Sequence, residues 1–108
     1  MNLPTEIFGN VVVVHTPDEL GRDHAVRFEQ FLVTLERHNV VLDIDSTESL
    51  DSGGLTALLN AQDNLQALDG DLKIATTSAI NRKILEVTRL DQQLEVFESV
   101  IEAVKSFS

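Results

Sequence analysis

The chain has no cysteine, tryptophan or tyrosine, and its five aromatic residues are all phenylalanine. Without cysteine there is no disulfide framework and no thiolate chemistry. So few aromatic side chains argue against a stacking platform for bases. Positive charge is scarce as well. Eight Lys and Arg stand against eighteen Asp and Glu, a formal net charge of −10. That balance argues against nucleic acid, whose binders carry a basic face, and against docking on anionic lipid. It suits a soluble protein whose partner presents a basic surface. No apolar run is long enough to span a bilayer, and no basic-then-apolar leader opens the sequence. The expectation is a cytoplasmic protein. There is no internal repeat, linker or low-complexity segment, and 108 residues are enough for one domain, 1–108, around one core. Residues 1–4 read as a loose N-terminus.

The motifs of several chemistries are missing. His15, His24 and His38 are scattered, and no pair has a metal-ligand spacing. No phosphate-binding Gly-x-x-x-x-Gly-Lys-Ser/Thr loop is present, and Gly9 and Gly21 form no dinucleotide fingerprint. Ser52 follows Leu50-Asp51, so it sits in no Gly-x-Ser-x-Gly elbow, and no histidine neighbours it in sequence. The reading is therefore of a protein with no catalytic residues, no metal and no cofactor.

What is present centres on Val40 to Leu55. Val40-Val41-Leu42-Asp43-Ile44 is a β-branched apolar run of the kind that forms a buried strand. Leu55, Leu58, Leu59, Leu65 and Leu68 then fall on one helical face. Between them lies Asp51-Ser52-Gly53-Gly54. Asp or Ser can cap the helix, and the glycines permit a tight turn that leaves Ser52 uncovered. A phosphate on Ser52 would meet the free N–H groups and partial positive charge of a helix start. The bland alternative is a capped strand-to-helix turn with no further role.

Before this stretch, Glu6-Ile7-Phe8 reads as an edge strand, Gly9-Asn10 as a hairpin turn and Val11–Val14 as a central strand. A helix begins near Asp18 or Gly21, with Ala25, Phe28, Phe31, Leu32 and Leu35 inward, and ends at His38-Asn39. After it, the Gly54–Leu68 helix closes at Asp69-Gly70, with Gly70 as the left-handed cap. Asp71–Ala75 is a strand and Thr76-Thr77-Ser78 a second strand-to-helix turn. A helix follows over Ala79–Thr88, with Ile80, Ile84 and Val87 inward. Gln93–Val96 suggests a last short strand, and Phe97, Val100, Ile101 and Val104 a final amphipathic helix. The alternation predicts an α/β fold: a small mixed, mostly parallel sheet of four to five strands with about four α-helices.

Asp43, Asp45, Glu48 and Asp51 crowd the end of the Val40 strand, where open α/β sheets place functional surfaces. Val41-Leu42-Asp43-Ile44 resembles the third strand of a phospho-accepting receiver domain. The rest of that pattern is absent, because Val14 leads to His15-Thr16 rather than an acidic pair, and Ile74-Ala75 leads to Thr76-Thr77 rather than a lysine.

The sequence resembles the STAS domains, in particular the bacterial anti-sigma factor antagonists. Their signature, an apolar strand, Asp, a few polar residues and then Asp-Ser-Ser-Gly-Leu opening a helix, is matched by Val41-Leu42-Asp43-Ile44-Asp45-Ser46 and Leu50-Asp51-Ser52-Gly53-Gly54-Leu55. Asp69-Gly70-Asp71-Leu72-Lys73-Ile74 and the segment Ala79–Asp91 are similar to the family's next strand and helix. Two departures stand out. Gly53 replaces the second Ser, and the family's Gly-Glu-Leu-Asp segment reads Pro17-Asp18-Glu19-Leu20-Gly21, so no functional Asp is carried over from it. The resemblance implies phosphorylation at Ser52 by an anti-sigma factor that is also a serine kinase. It implies that Asp51, Ser52, Gly53 and Gly54 bind that partner, and that the phosphorylated form lets go. It leaves open a constitutive scaffold or transporter-associated subunit in which Ser52 only starts a helix.

Overall fold

The computed structural model describes residues 1–107. In chain order the elements are β1 (Thr5–Phe8), β2 (Val11–His15), β3 (Glu19–Leu20), α1 (Ala25–Val33), β4 (Asn39–Asp43), β5 (Ser49–Leu50), α2 (Ser52–Gln66), β6 (Asp71–Ala75), α3 (Ala79–Val87), a 3-10 turn (Leu90–Gln92), β7 (Glu95–Phe97) and α4 (Val100–Lys105). A five-stranded sheet runs β1-β2-β4-β6-β7, parallel except for β1, and β3 pairs with β5 in a small separate ribbon.

The apolar runs sit where their composition requires. Strand side chains alternate between the two faces, so a central strand apolar throughout must be covered on both. Val12, Val14, Val40, Leu42, Leu72 and Ile74 meet α1, α2 and α3, while Val11, Val13, Val41 and Ala75 meet α4. Helix α1 contributes Phe28 and Leu32, and α2 contributes Ala57, Leu58, Ala61 and Leu65, all fully buried. Each large apolar side chain buried in this way contributes about 1.5–3 kcal/mol, so the principal core lies on the three-helix side. The opposite face is closed by six-residue α4 and by Lys73, whose buried ammonium donates to the Ser106 carbonyl and hydroxyl at 3.2 and 2.8 Å and lies 4.2 Å from the Phe107 ring centre.

Several local expectations are corrected. The first helix begins at Ala25, because Glu19 and Leu20 pair with Ser49 and Leu50 instead. Its last turn ends at Val33, and the next strand opens at Asn39. The left-handed residue after α2 is Asp69, at φ 62°, not Gly70. Gly70 is required for another reason: a Cβ there would stand 2.0 Å from the His38 carbonyl oxygen. Leu68 is exposed, two residues past the end of α2. In α3 the inward residues are Asn81 and Leu85, while Ile80 and Val87 face solvent at 75% and 66% exposure. Phe97 belongs to β7, and Ile101 of α4 points outward. The N-terminal residues, read as loose, are tied at two points. Leu3 packs against the core, and the Pro4 carbonyl accepts from the His15 amide at 3.0 Å.

Strand β1 is exposed along its length and is joined to β2 by Gly9-Asn10, with Gly9 at φ +63° as a two-residue hairpin loop requires. It gains a side-chain tie from His15. The His15 ring meets Glu6 at 2.7 Å through Nε2 and Asp43 at 2.9 Å through Nδ1, linking β1, β2 and β4. The hydrogen bond to Glu6 raises the His15 pKa; partial burial opposes it and Asp43 adds to it. A folded value above the unfolded one means that the tie stabilises fully below about pH 6.5 and is lost as pH rises through the raised value. The melting temperature should therefore fall as pH rises from about 6.5 through the raised value. His15→Gln should flatten that fall, as melting curves across the range will show.

Candidate functional site

The candidate site is the start of α2, and it is built from a close approach between two backbones. Loop residues Leu20 to Arg22 lie directly against the first turn of the helix. A Cβ on Gly54 would stand 2.0 Å from the Leu20 carbonyl oxygen, and one on Gly53 would meet Arg22 Cα at 2.7 Å and its nitrogen at 2.8 Å. On the other side, a Cβ on Gly21 would be 2.7 Å from Asp51 Oδ2. Neither Gly53 nor Gly54 has positive φ, since among the described residues Gly9 is the one glycine that does. These glycines therefore supply room rather than a turn. The approach also accounts for the departure from the Asp-Ser-Ser-Gly pattern, because a serine in place of Gly53 has nowhere to put its Cβ.

Asp51 is the N-cap. Its Oδ1 accepts from the Gly54 amide at 3.0 Å and its Oδ2 from the Arg22 amide at 3.4 Å. The amide of Gly54 is the main reason its carboxyl is held below the usual carboxylate range, with slight desolvation opposing and the amide of Arg22 helping. Ser52 is the first helical residue and is exposed. Its carbonyl accepts the Thr56 hydroxyl at 3.0 Å, while its own hydroxyl has no hydrogen-bond partner among the described residues. Asp51, Ser52 and half-buried Gly53 thus reach the surface, and Gly54 lies buried beneath them.

Asp45 is occupied as a brace. Asp45 accepts from the Thr76 hydroxyl at 2.8 Å, the Thr77 amide at 2.7 Å and the Thr77 hydroxyl at 2.8 Å. Desolvation alone would raise its pKa, but these hydrogen bonds outweigh it and lower it. They join the loop after β4 to the loop after β6. Asn81 Nδ2 reinforces the joint by donating to the Ile44 and Thr47 carbonyls, each at 3.0 Å. The buried Thr47 hydroxyl donates to the Pro17 carbonyl at 2.6 Å and lies 2.6 Å from the Thr16 hydroxyl, which donates to the Asp43 carbonyl at 3.2 Å. The amides of Glu48 and Ser49 both donate to the Asp18 carbonyl, at 2.8 and 3.1 Å. The segment leading to Ser52 is pinned throughout. Thr47, Asn81 and the β3–β5 ribbon went unnoticed in the sequence, where the available signal was a polar residue at an inward helical position.

No group of three or more His, Asp or Glu among the described residues is arranged to hold a metal. No helix among them is long and apolar enough to cross a membrane.

Two substitutions test this construction. Gly54→Ala gains about 1 kcal/mol of helix propensity. The 2.0 Å approach to Leu20 overrides that gain, because forced overpacking costs typically 1–3 kcal/mol. A net loss of stability is expected in denaturant unfolding. Gly53→Ser, which restores the more common signature, should also destabilise the protein, and chemical shifts of Gly21 and Arg22 should move with it.

The comparisons with known proteins bear on the family and the fold. A family model described as STAS domain matches residues 2–103. A structure described as an anti-sigma factor antagonist from Mycobacterium paratuberculosis superposes with a TM-score of 0.82 at 21% identity, covering 97% of this chain and 92% of its own. SpoIIAA of Bacillus in the phosphorylated form matches with a TM-score of 0.70 at 17% identity, over 99% of this chain and 100% of that one. The murine Solute Carrier 26 family member A9 anion transporter matches with a TM-score of 0.76 at 17% identity, over 92% of this chain but 18% of the transporter. No curated protein matches the sequence. With the signature residues gathered at one helix start and the family match spanning nearly the whole length, the chain belongs to the STAS domain family.

Proposed function

We propose that this chain is a phosphorylation-switched binding module of the anti-sigma factor antagonist type, with Ser52 as the acceptor. The observation that carries the reading is the division of labour at the α2 start. Asp51 makes the capping bond, so the exposed Ser52 hydroxyl has no structural duty. A hydroxyl placed at a helix N-terminus, exposed and unpaired, is accessible to a kinase, and a phosphate there meets the favourable end of the helix dipole. Modification adds about −1.5 to −2 charges at pH 7. A partner surface complementary to a neutral Ser52 then has to desolvate that charge, and the complex weakens. The partner is an anti-sigma factor with serine kinase activity, or a related STAS-binding protein, which binds the unphosphorylated form. Asp51, Ser52 and Gly53 face it, and Gly54 sets their height from below. The domain is the kinase's substrate rather than an enzyme and acts without a cofactor, in the cytoplasm.

The test incubates the chain with a serine kinase of the anti-sigma factor type from the same organism and ATP, followed by phosphosite mapping. Ser52→Ala should change stability by less than about 0.5 kcal/mol. Ser52→Asp should be neutral or stabilising by about 0.3–1 kcal/mol, less the repulsion from Asp51. Both should abolish labelling, but only Ser52→Asp should weaken the complex, by tenfold or more. Tight binding by Ser52→Asp would point instead to a constitutive scaffold in which Ser52 merely begins a helix, and phosphate mapped to Ser46, Thr47 or Ser49 would show that Ser52 is not the switch.

A further inference from the structure

The exposed side of α3 is at odds with its chemistry. Ile80, Lys83 and Val87 recur at three- and four-residue spacing and so share one face, with Ile84 at its half-buried margin. Ile80 and Val87 are 75% and 66% exposed, while the inward side of the helix is held by Asn81 and Leu85. Two large apolar side chains exposed two turns apart on one solvent-facing surface, with half-buried Ile84 between them, leave an apolar strip open to a partner.

Charge distinguishes this face further. Residues 79–89 hold three of the chain's eight Lys and Arg, Arg82, Lys83 and Arg89, but only one of its eighteen acidic residues, Glu86. Glu86 is 3.8 Å from Arg82, so Lys83 and Arg89 are the cations this segment offers to a partner. A small basic and apolar island therefore sits on a protein of net charge −10.

Arg89 adds an independent observation. It follows the C-cap Thr88 in the left-handed conformation, at φ 63° and ψ 18°. That position is usually glycine, because a Cβ is strained there. Retaining arginine sacrifices stability, which is a common mark of a side chain in use.

We propose that the outer face of α3, Ile80, Lys83 and Val87 with Arg89 at its end, is a docking surface for an acidic amphipathic helix of a partner protein. Apolar residues of that helix cover Ile80 and Val87, and its carboxylates meet Lys83 and Arg89. A polyanion such as DNA, or an anionic membrane, fits less well. The island is one short helix long, and the remainder of the molecule repels an extended negative surface. The surface does not depend on Ser52 and acts whether or not that residue is modified.

The probe is a synthetic 18-residue helical peptide with Leu and Glu in amphipathic register. A Leu/Lys peptide of the same pattern, duplex DNA and phosphatidylserine-containing vesicles serve as comparisons. Titrated into the isotope-labelled full chain, the Leu/Glu peptide should shift amide resonances of Ile80, Lys83, Val87 and Arg89, with affinity falling as salt rises. Lys83→Glu should weaken binding at least tenfold. Arg89→Gly should weaken it severalfold while raising the melting temperature, an outcome that a merely structural role for Arg89 does not produce. The proposal is overturned if no shifts map to this face at millimolar peptide, if the Leu/Lys peptide binds equally well, or if DNA or vesicles bind there more tightly.

Discussion

The close approach of the Leu20–Arg22 backbone to the first turn of α2 is the constraint on which the candidate site depends. It is possible only because Gly53 and Gly54 lack Cβ atoms, and because Gly21 leaves room for the Asp51 carboxylate. Once the two backbones touch, the Asp51 carboxylate can span them, taking one amide from its own helix and one from Arg22. Capping and tertiary docking thus become one interaction. The same contact buries Leu20 fully and so links the surface loop to the main core.

Around that contact the polar residues form a frame. Asp45 ties the β4 and β6 loops together, Asn81 donates to the carbonyls of Ile44 and Thr47, and Thr47 bridges to the Pro17 loop. Each buried donor or acceptor left without a partner would cost about 1–3 kcal/mol, so these loops have few alternative arrangements. A modification on a pinned surface acts mainly through charge and contact, because the backbone beneath it has little freedom to respond. That suits a switch read by a partner better than one read by refolding.

Charge is distributed unevenly as well. Acidic residues dominate the chain, yet Asp51, Asp45 and Asp43 are engaged as a cap, a loop tie and a histidine partner. The α3 segment collects much of the scarce positive charge on a different helix. Two helices of one small domain thus carry surfaces of opposite character.

Much of the fold was legible in the sequence, and for a plain reason. Val11–Val14 and Val40–Leu42 are apolar without alternation, and only burial on both faces satisfies such strands, while Leu72–Ala75 is broken by Lys73 alone, whose ammonium is taken up by Ser106. The site was legible as a pattern, an Asp-Ser pair opening a helix after a buried strand. The sequence by itself therefore determined the central strands, the order of helices between them and the position of Ser52 at a helix start. It did not determine why the glycines are there, because their reason is the Leu20–Arg22 backbone, some thirty residues away in the chain. It did not determine which face of α3 turns inward either. Periodicity alone selected Ile80, Ile84 and Val87 as the buried stripe, since hydrophobicity is all that periodicity weighs. The tertiary structure turned Leu85 and Asn81 inward, because the loop after β4 presents the carbonyls of Ile44 and Thr47 there, and those carbonyls need a donor that no isoleucine or valine side chain can supply.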